Sequence, residues 1–85
     1  MKTTKKNEIK ELAQELLNSA KERDTNQGVA IYNKILELVK EAEKREDIDA
    51  ILVKFNKALS GIEAHGYFTD DEYSLVIKLR ELELE

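Results

Sequence analysis

The 85 residues of this chain suffice for one small domain with a single hydrophobic core, which excludes a two-domain protein. A formal net charge of −4 and the lack of a basic stripe interleaved with aromatic residues argue against a nucleic-acid-binding protein. The sequence has neither cysteine nor proline, so it can form no disulfide or thiolate site and its helices are not interrupted.

The apolar residues are too dispersed for a membrane span. No run approaches the roughly twenty apolar residues of a transmembrane helix, and the start MKTTKK lacks the apolar segment of a secretory signal. We therefore expect no transmembrane segment and a cytoplasmic protein. Lys2, Lys5 and Lys6 leave open a peripheral association with a membrane surface, but a frayed and solvated terminus is the favoured interpretation.

The first predicted helix covers about residues 5–21. Its apolar residues recur with the i, i+3, i+4, i+7 spacing of a helix that buries one face. They are Ile9, Leu12, Ala13, Leu16, Leu17 and Ala20.

The second predicted helix covers about residues 27–44, after a turn in which Asp24, Thr25 and Asn26 are all able to cap it. Its apolar positions spread over about half of the helical circumference, at ~100° per residue, so we expect it to contact two neighbours. We expect Tyr32 to lie in the core or at its edge with the hydroxyl at the surface. The apolar positions are Val29, Ile31, Tyr32, Ile35, Leu36, Leu38, Val39 and Ala42.

The third predicted helix covers about residues 48–65, with Asp47 as its N-terminal cap. A single apolar stripe runs along it and leaves Lys54 and Lys57 outside, while Val53 points away from the stripe. The stripe consists of Ile48, Ile51, Leu52, Phe55, Ala58, Leu59 and Ile62.

A corner is predicted between the third and fourth helices. Gly66 can adopt the left-handed conformation that ends a helix, with Tyr67 following it and packing back onto Ile62. Thr69 and Glu72 have the spacing of a capping box, in which each side chain accepts a hydrogen bond from the backbone amide of the other.

The fourth predicted helix covers about residues 70–83 and carries two apolar stripes. Leu75, Val76, Leu79 and Leu82 suffice to close a core, whereas the second stripe of Tyr73, Ile77 and Leu84 has no evident internal role. Phe68 and Tyr73 also have the spacing of a hydrophobic staple. Whether Ile77 is core or surface is left open by the sequence.

Four helices of similar length joined by short connections favour antiparallel neighbours. We therefore predict an all-α fold, an antiparallel up-down-up-down four-helix bundle that forms one domain over residues 1–85.

The sequence gives little sign of catalytic chemistry. His65 is the one histidine, and a position at the negative end of a helix dipole is favoured over a phosphoacceptor role. Asp70, Asp71 and Glu72 are interpreted as dipole-complementing residues of a first helical turn, because no calcium-loop spacing surrounds them. We expect neither an enzyme nor a bound cofactor or metal.

The second half of the chain resembles a known family. The segment DAILVKFNKAL at residues 49–59, the turn GYFT at 66–69 and the segment LVIKLREL at 75–82 are similar to the immunity proteins of pediocin-like (enterocin A type) bacteriocins of Gram-positive bacteria. The resemblance implies a small cytosolic four-helix bundle that protects its producer from a secreted pore-forming peptide. Its implied partner is the complex of the peptide with the mannose phosphotransferase permease, contacted from the cytosolic side, and the C-terminal half is expected to carry much of the specificity.

The alternative function is a small helical adaptor or dimerisation module whose second stripe pairs with itself or with a regulatory protein. Both functions need an exposed apolar surface. We expect the partner to contact Tyr67, Tyr73, Ile77, Arg80 and Leu84. The outer side of helix three around Val53, Lys54 and Lys57 is the next candidate surface.

Overall fold

The structure, a computed structural model, describes residues 5–22, 26–64 and 68–84. These ranges hold four helices and no strand: α1 (Lys5–Glu22), α2 (Asn26–Glu41), α3 (Arg45–Ala64) and α4 (Asp70–Leu84). The all-α prediction is confirmed for this part of the chain. Several residues singled out in the sequence lie outside it, and these are Lys2, Asp24, Thr25, His65, Gly66 and Tyr67.

The helix α1 follows its predicted pattern. All six apolar residues of the predicted stripe are buried and the residues between them face outward, as a helix with a single apolar face requires. The helix extends to Glu22, one residue past the predicted end.

Lys5 and Lys6, at the start of α1, correct part of one expectation, because both are partly buried and hydrogen-bonded to other parts of the chain. Lys5 Nζ donates a hydrogen bond to Asp49 Oδ1 of α3 at 2.9 Å. Lys6 Nζ donates to the carbonyl oxygen of Ala42 at 2.8 Å, just past the end of α2. Carbonyls at a helix C-terminus have no partner within their own helix, and a lysine ammonium can satisfy one. The start of α1 is thus joined to two other elements.

The boundary between α2 and α3 also differs from the prediction. α2 ends at Glu41, not at residue 44, and α3 begins at Arg45, not at residue 48. The amides of Asp47 and Ile48 both donate to the Lys44 carbonyl at 3.1 Å, so helical bonding has already begun before Asp47. Asp47 therefore lies in the first turn of α3 and is not its cap, a place that also suits a carboxylate because the helix dipole is positive there.

The core lies where the four helices meet, and two aromatic rings occupy its middle. Tyr32 and Phe55 are both buried, with ring centroids 6.1 Å apart and ring planes at 69°, an edge-to-face contact. Tyr32 is only 2% exposed, so it is buried more completely than the sequence suggested. Val29, Ile31, Leu36 and Leu38 pack around the core at partial burial, which fits the wide apolar face predicted for α2.

The helices α1 and α3 each pack on all three others, whereas α2 and α4 each pack on two. α1 and α3 both contact α2 and α4, and α1 and α3 also meet each other, whereas α2 and α4 do not approach closely within the described residues. None of the described helices combines the length and apolar character that a membrane crossing requires.

Candidate docking face on α3 and α4

The start of α4 is fixed by a reciprocal pair of hydrogen bonds. The Thr69 amide donates to Glu72 Oε1 at 2.9 Å, and the Glu72 amide donates to Thr69 Oγ1 at 3.2 Å. These are the two bonds of the predicted capping box. Phe68 lies partly buried against the core, and the Glu72 side chain is itself buried. The cap therefore sets where α4 begins and how its faces are oriented.

One row of side chains on the outside of α4 remains exposed. Tyr73, Ile77, Arg80 and Leu84 follow each other at spacings of four, three and four residues, which places them along one line of a helix. Ile77 is 44% exposed and Leu84 is 87% exposed, so both are surface residues. The structure thus answers the question that the sequence left open for Ile77.

A groove of about 410 Å³ lies between this row and α3. Its α3 side is formed by Val53, Asn56, Lys57 and Ser60, and its α4 side by Arg80, Glu83 and Leu84. We call this surface, with Tyr73 and Ile77 added along α4, the α3–α4 face. It unites the two candidate surfaces of the sequence, except that Lys54 faces a different groove, toward α2.

The described residues with large exposed apolar side chains are four in number, and all four lie on this face: Val53, Tyr73, Ile77 and Leu84. Single exposed apolar residues are common on any protein surface and carry no meaning. Four of them on two adjacent helices, with the described parts of α1 and α2 contributing none, are typical of a surface that another molecule covers.

Arg80 has a partner within the chain. Its guanidinium forms an ion pair with the Glu63 carboxylate of α3, and both side chains are about one-third exposed. The hydrogen bond from Arg80 holds the pKa of Glu63 below its usual range and raises the pKa of Arg80, against the opposing effect of partial burial. Arg80 can therefore reach an external partner only by breaking this pair.

Asn56 is a site residue that the sequence interpretation missed. It is 7% exposed, and its Nδ2 donates to the Leu79 carbonyl at 3.2 Å and to Glu83 Oε1 at 2.8 Å. Its Oδ1 is buried with no hydrogen-bond partner among the described residues. The signal was present in the sequence, because position 56 follows Leu52 by four residues and therefore lies on the buried stripe of α3.

A second groove, of about 670 Å³, separates α1 from α4. Leu12 and Leu82 form its nearly buried floor, and its rim carries Glu8, Glu11, Glu15 and Glu81 with Lys78. It is larger than the groove of the α3–α4 face, but it has no exposed large apolar side chain.

The described residues contain no group of three or more histidine or acidic side chains placed to hold a metal ion. In the acidic sequence at the start of α4, the Glu72 carboxylate is used in the cap. What the α3–α4 face offers chemically is exposed apolar surface beside the ion pair of Arg80 with Glu63. These features suit binding of another molecule.

The chain matches no protein-family model, no curated protein and no solved structure.

Proposed function

We propose that this protein is a bacteriocin immunity protein that protects its producer through contact with a protein partner, without catalysis. The partner is the complex between a pore-forming peptide and the membrane permease that serves as its receptor, met on the cytosolic side. The proposal rests on the resemblance of residues 49–59, 66–69 and 75–82 to that family of immunity proteins. The α3–α4 face is the proposed contact surface.

We infer an antiparallel up-down-up-down bundle as the frame that carries this face. Four contacts support this arrangement. Lys6 at the start of α1 reaches the end of α2, Lys5 reaches the start of α3, and Asn56 and Glu63 in order along α3 meet Glu83 and Arg80 in reverse order along α4. Successive helices then run in opposite directions, which short connections favour.

The structural observation that supports contact with a protein partner is the gathering of exposed apolar side chains on α3 and α4. Association between proteins draws its free energy largely from burial of apolar surface. Ile77 lies in the middle of the α4 row, between Tyr73 and Arg80, and the centre of an interface is where truncation is most costly.

The test is expression of the chain in a sensitive strain that carries the permease, followed by exposure to bacteriocins. We expect protection against one bacteriocin or a narrow group. The purified protein should neither bind the free peptide tightly nor degrade it. If the chain protects against none of the bacteriocins of the producer, the immunity role is contradicted.

The role of the face is tested with Ile77→Ser in the same assay. Because Ile77 is largely at the surface, we expect the thermal midpoint to be nearly unchanged while protection is lost. Ala30→Ser, at an exposed position of α2, is the control and should protect like the wild type. Full protection by a stable Ile77→Ser variant would refute the face and leave the immunity role standing.

A further inference from the structure

We propose that the α3–α4 face binds a second copy of this chain, so that the protein rests as a symmetric dimer when its partner is absent. The inference rests on the proposed use of this face as a docking surface and names what covers it in the isolated protein. Two observations carry it, namely the charges of the groove and the levels at which its residues lie along the helices.

The charges of the groove are self-complementary. Lys57 makes no ion pair or hydrogen bond among the described residues, so its ammonium is free to bind a carboxylate. Glu83 is exposed and is held in position by the hydrogen bond from Asn56. The Arg80 and Glu63 charges already neutralise each other. Among the described residues that line the groove, one free cation and one exposed anion remain, which is the balance that an identical surface can match.

The levels of these residues along the helices suit a two-fold axis. The bond between Asn56 and Glu83 puts position 57 of α3 at the level of position 83 of α4, and Val53 and Leu84 line the same groove at its end. A two-fold axis that lies in the interface and runs parallel to the helices sets α3 of one copy against α4 of the other without any shift along the axis. Lys57 then meets Glu83 of the other copy, and Val53 meets Leu84, each contact occurring twice.

The exposed apolar side chains at the end of the groove support the same arrangement. Val53 and Leu84 of one copy are covered by Leu84 and Val53 of the other when the two grooves face each other.

The experiment is sedimentation equilibrium of the purified full chain, with two charge-reversal variants measured alone and mixed. Wild type is expected to dimerise. Lys57→Glu alone and Glu83→Lys alone should each weaken self-association by at least about tenfold, because each homodimer then carries two like-charge contacts. An equimolar mixture of the two variants should restore association, since every contact in the heterodimer joins opposite charges.

Two further methods and two further variants test alternative explanations of the result. Circular dichroism verifies that each variant is folded, and native mass spectrometry with one isotope-labelled variant shows that the restored species is a heterodimer. Lys34→Glu, the same charge change at an exposed position of α2, should dimerise like the wild type. Val53→Ser should weaken the dimer without loss of the fold.

A wild-type chain that stays monomeric at millimolar concentration would overturn the proposal and leave the face to a different partner. A dimer that survives both charge reversals, or a mixture that fails to associate, would overturn it as well. Because these measurements use the pure protein, their failure leaves the protection assay untouched, and a failed protection assay leaves the dimer untouched.

Discussion

Asn56 is a buried polar side chain through which α3 is hydrogen-bonded to α4. It lies on the stripe formed by Leu52, Phe55 and Leu59, and its amide joins α3 to α4 through two hydrogen bonds. Burial of the amide costs free energy at Oδ1, which has no hydrogen-bond partner among the described residues, but not at Nδ2, which has two. Removing the whole amide should therefore cost much less stability than replacing it with a carboxylate.

We predict that Asn56→Leu changes the free energy of unfolding by less than about 1 kcal/mol, because it removes the unmatched acceptor together with the donor. Asn56→Asp should cost about 2 kcal/mol or more, because it buries a carboxylate beside Glu83 and removes the Nδ2 group that donates to the Glu83 carboxylate. Urea denaturation at neutral pH and low protein concentration measures both. A Leu variant that is the less stable of the two would show that the amide contributes net stability.

At the scale of helices, the sequence predicts buried faces and boundaries best where a residue pattern is compatible with only one local structure. The stripe of α1 and the capping box at Thr69 and Glu72 each specify local geometry without reference to distant residues. The boundary between α2 and α3 could not be placed in this way. Residues 43–47 are all charged and hold no residue that typically ends a helix, so the sequence is compatible with several starting points for α3.

The pairing of Glu63 with Arg80 is an interaction between α3 and α4 that depends on pH. Because the pKa of Glu63 is lower in the folded chain than in the unfolded chain, the pair stabilises the fold when the carboxyl is ionised. This stabilisation is fully present above the ordinary glutamate pKa of about 4.3 and is lost as the pH falls through the lowered value.

We therefore predict that Glu63→Gln is less stable than the wild type at about pH 7 and that the difference disappears toward about pH 2. The exposed pair is screened by ions, so added salt should also reduce the difference. Glu81→Gln is the matched control, because the Glu81 carboxylate makes no ion pair among the described residues. A difference for Glu63→Gln that stays constant with pH would contradict the assignment.

At the scale of the whole molecule, the contacts that join distant parts of the chain are those that the sequence did not reveal. The second stripe of α4 could be recognised from its spacing, but its alignment with Val53 and Lys57 depends on how α3 packs against α4. The contact of Asn56 with α4 depends on the same packing, and those of Lys5 and Lys6 depend on which helix ends are adjacent. Periodicity determines which face of a helix is buried and leaves its neighbours undetermined.

Lys6 provides the final prediction, because it joins the start of α1 to the connection between α2 and α3. Its ammonium donates to the Ala42 carbonyl and places a positive charge near the negative end of the α2 dipole. Lys6→Met keeps most of the apolar stem and removes this charge, and we expect it to cost about 1 kcal/mol of unfolding free energy. Amide hydrogen exchange should accelerate most in the last turn of α2. Lys10→Met, at an exposed position on α1 with no partner among the described residues, should change neither quantity. Equal effects of the two variants would show that the ammonium of Lys6 contributes only to the net charge and does not hold these elements together.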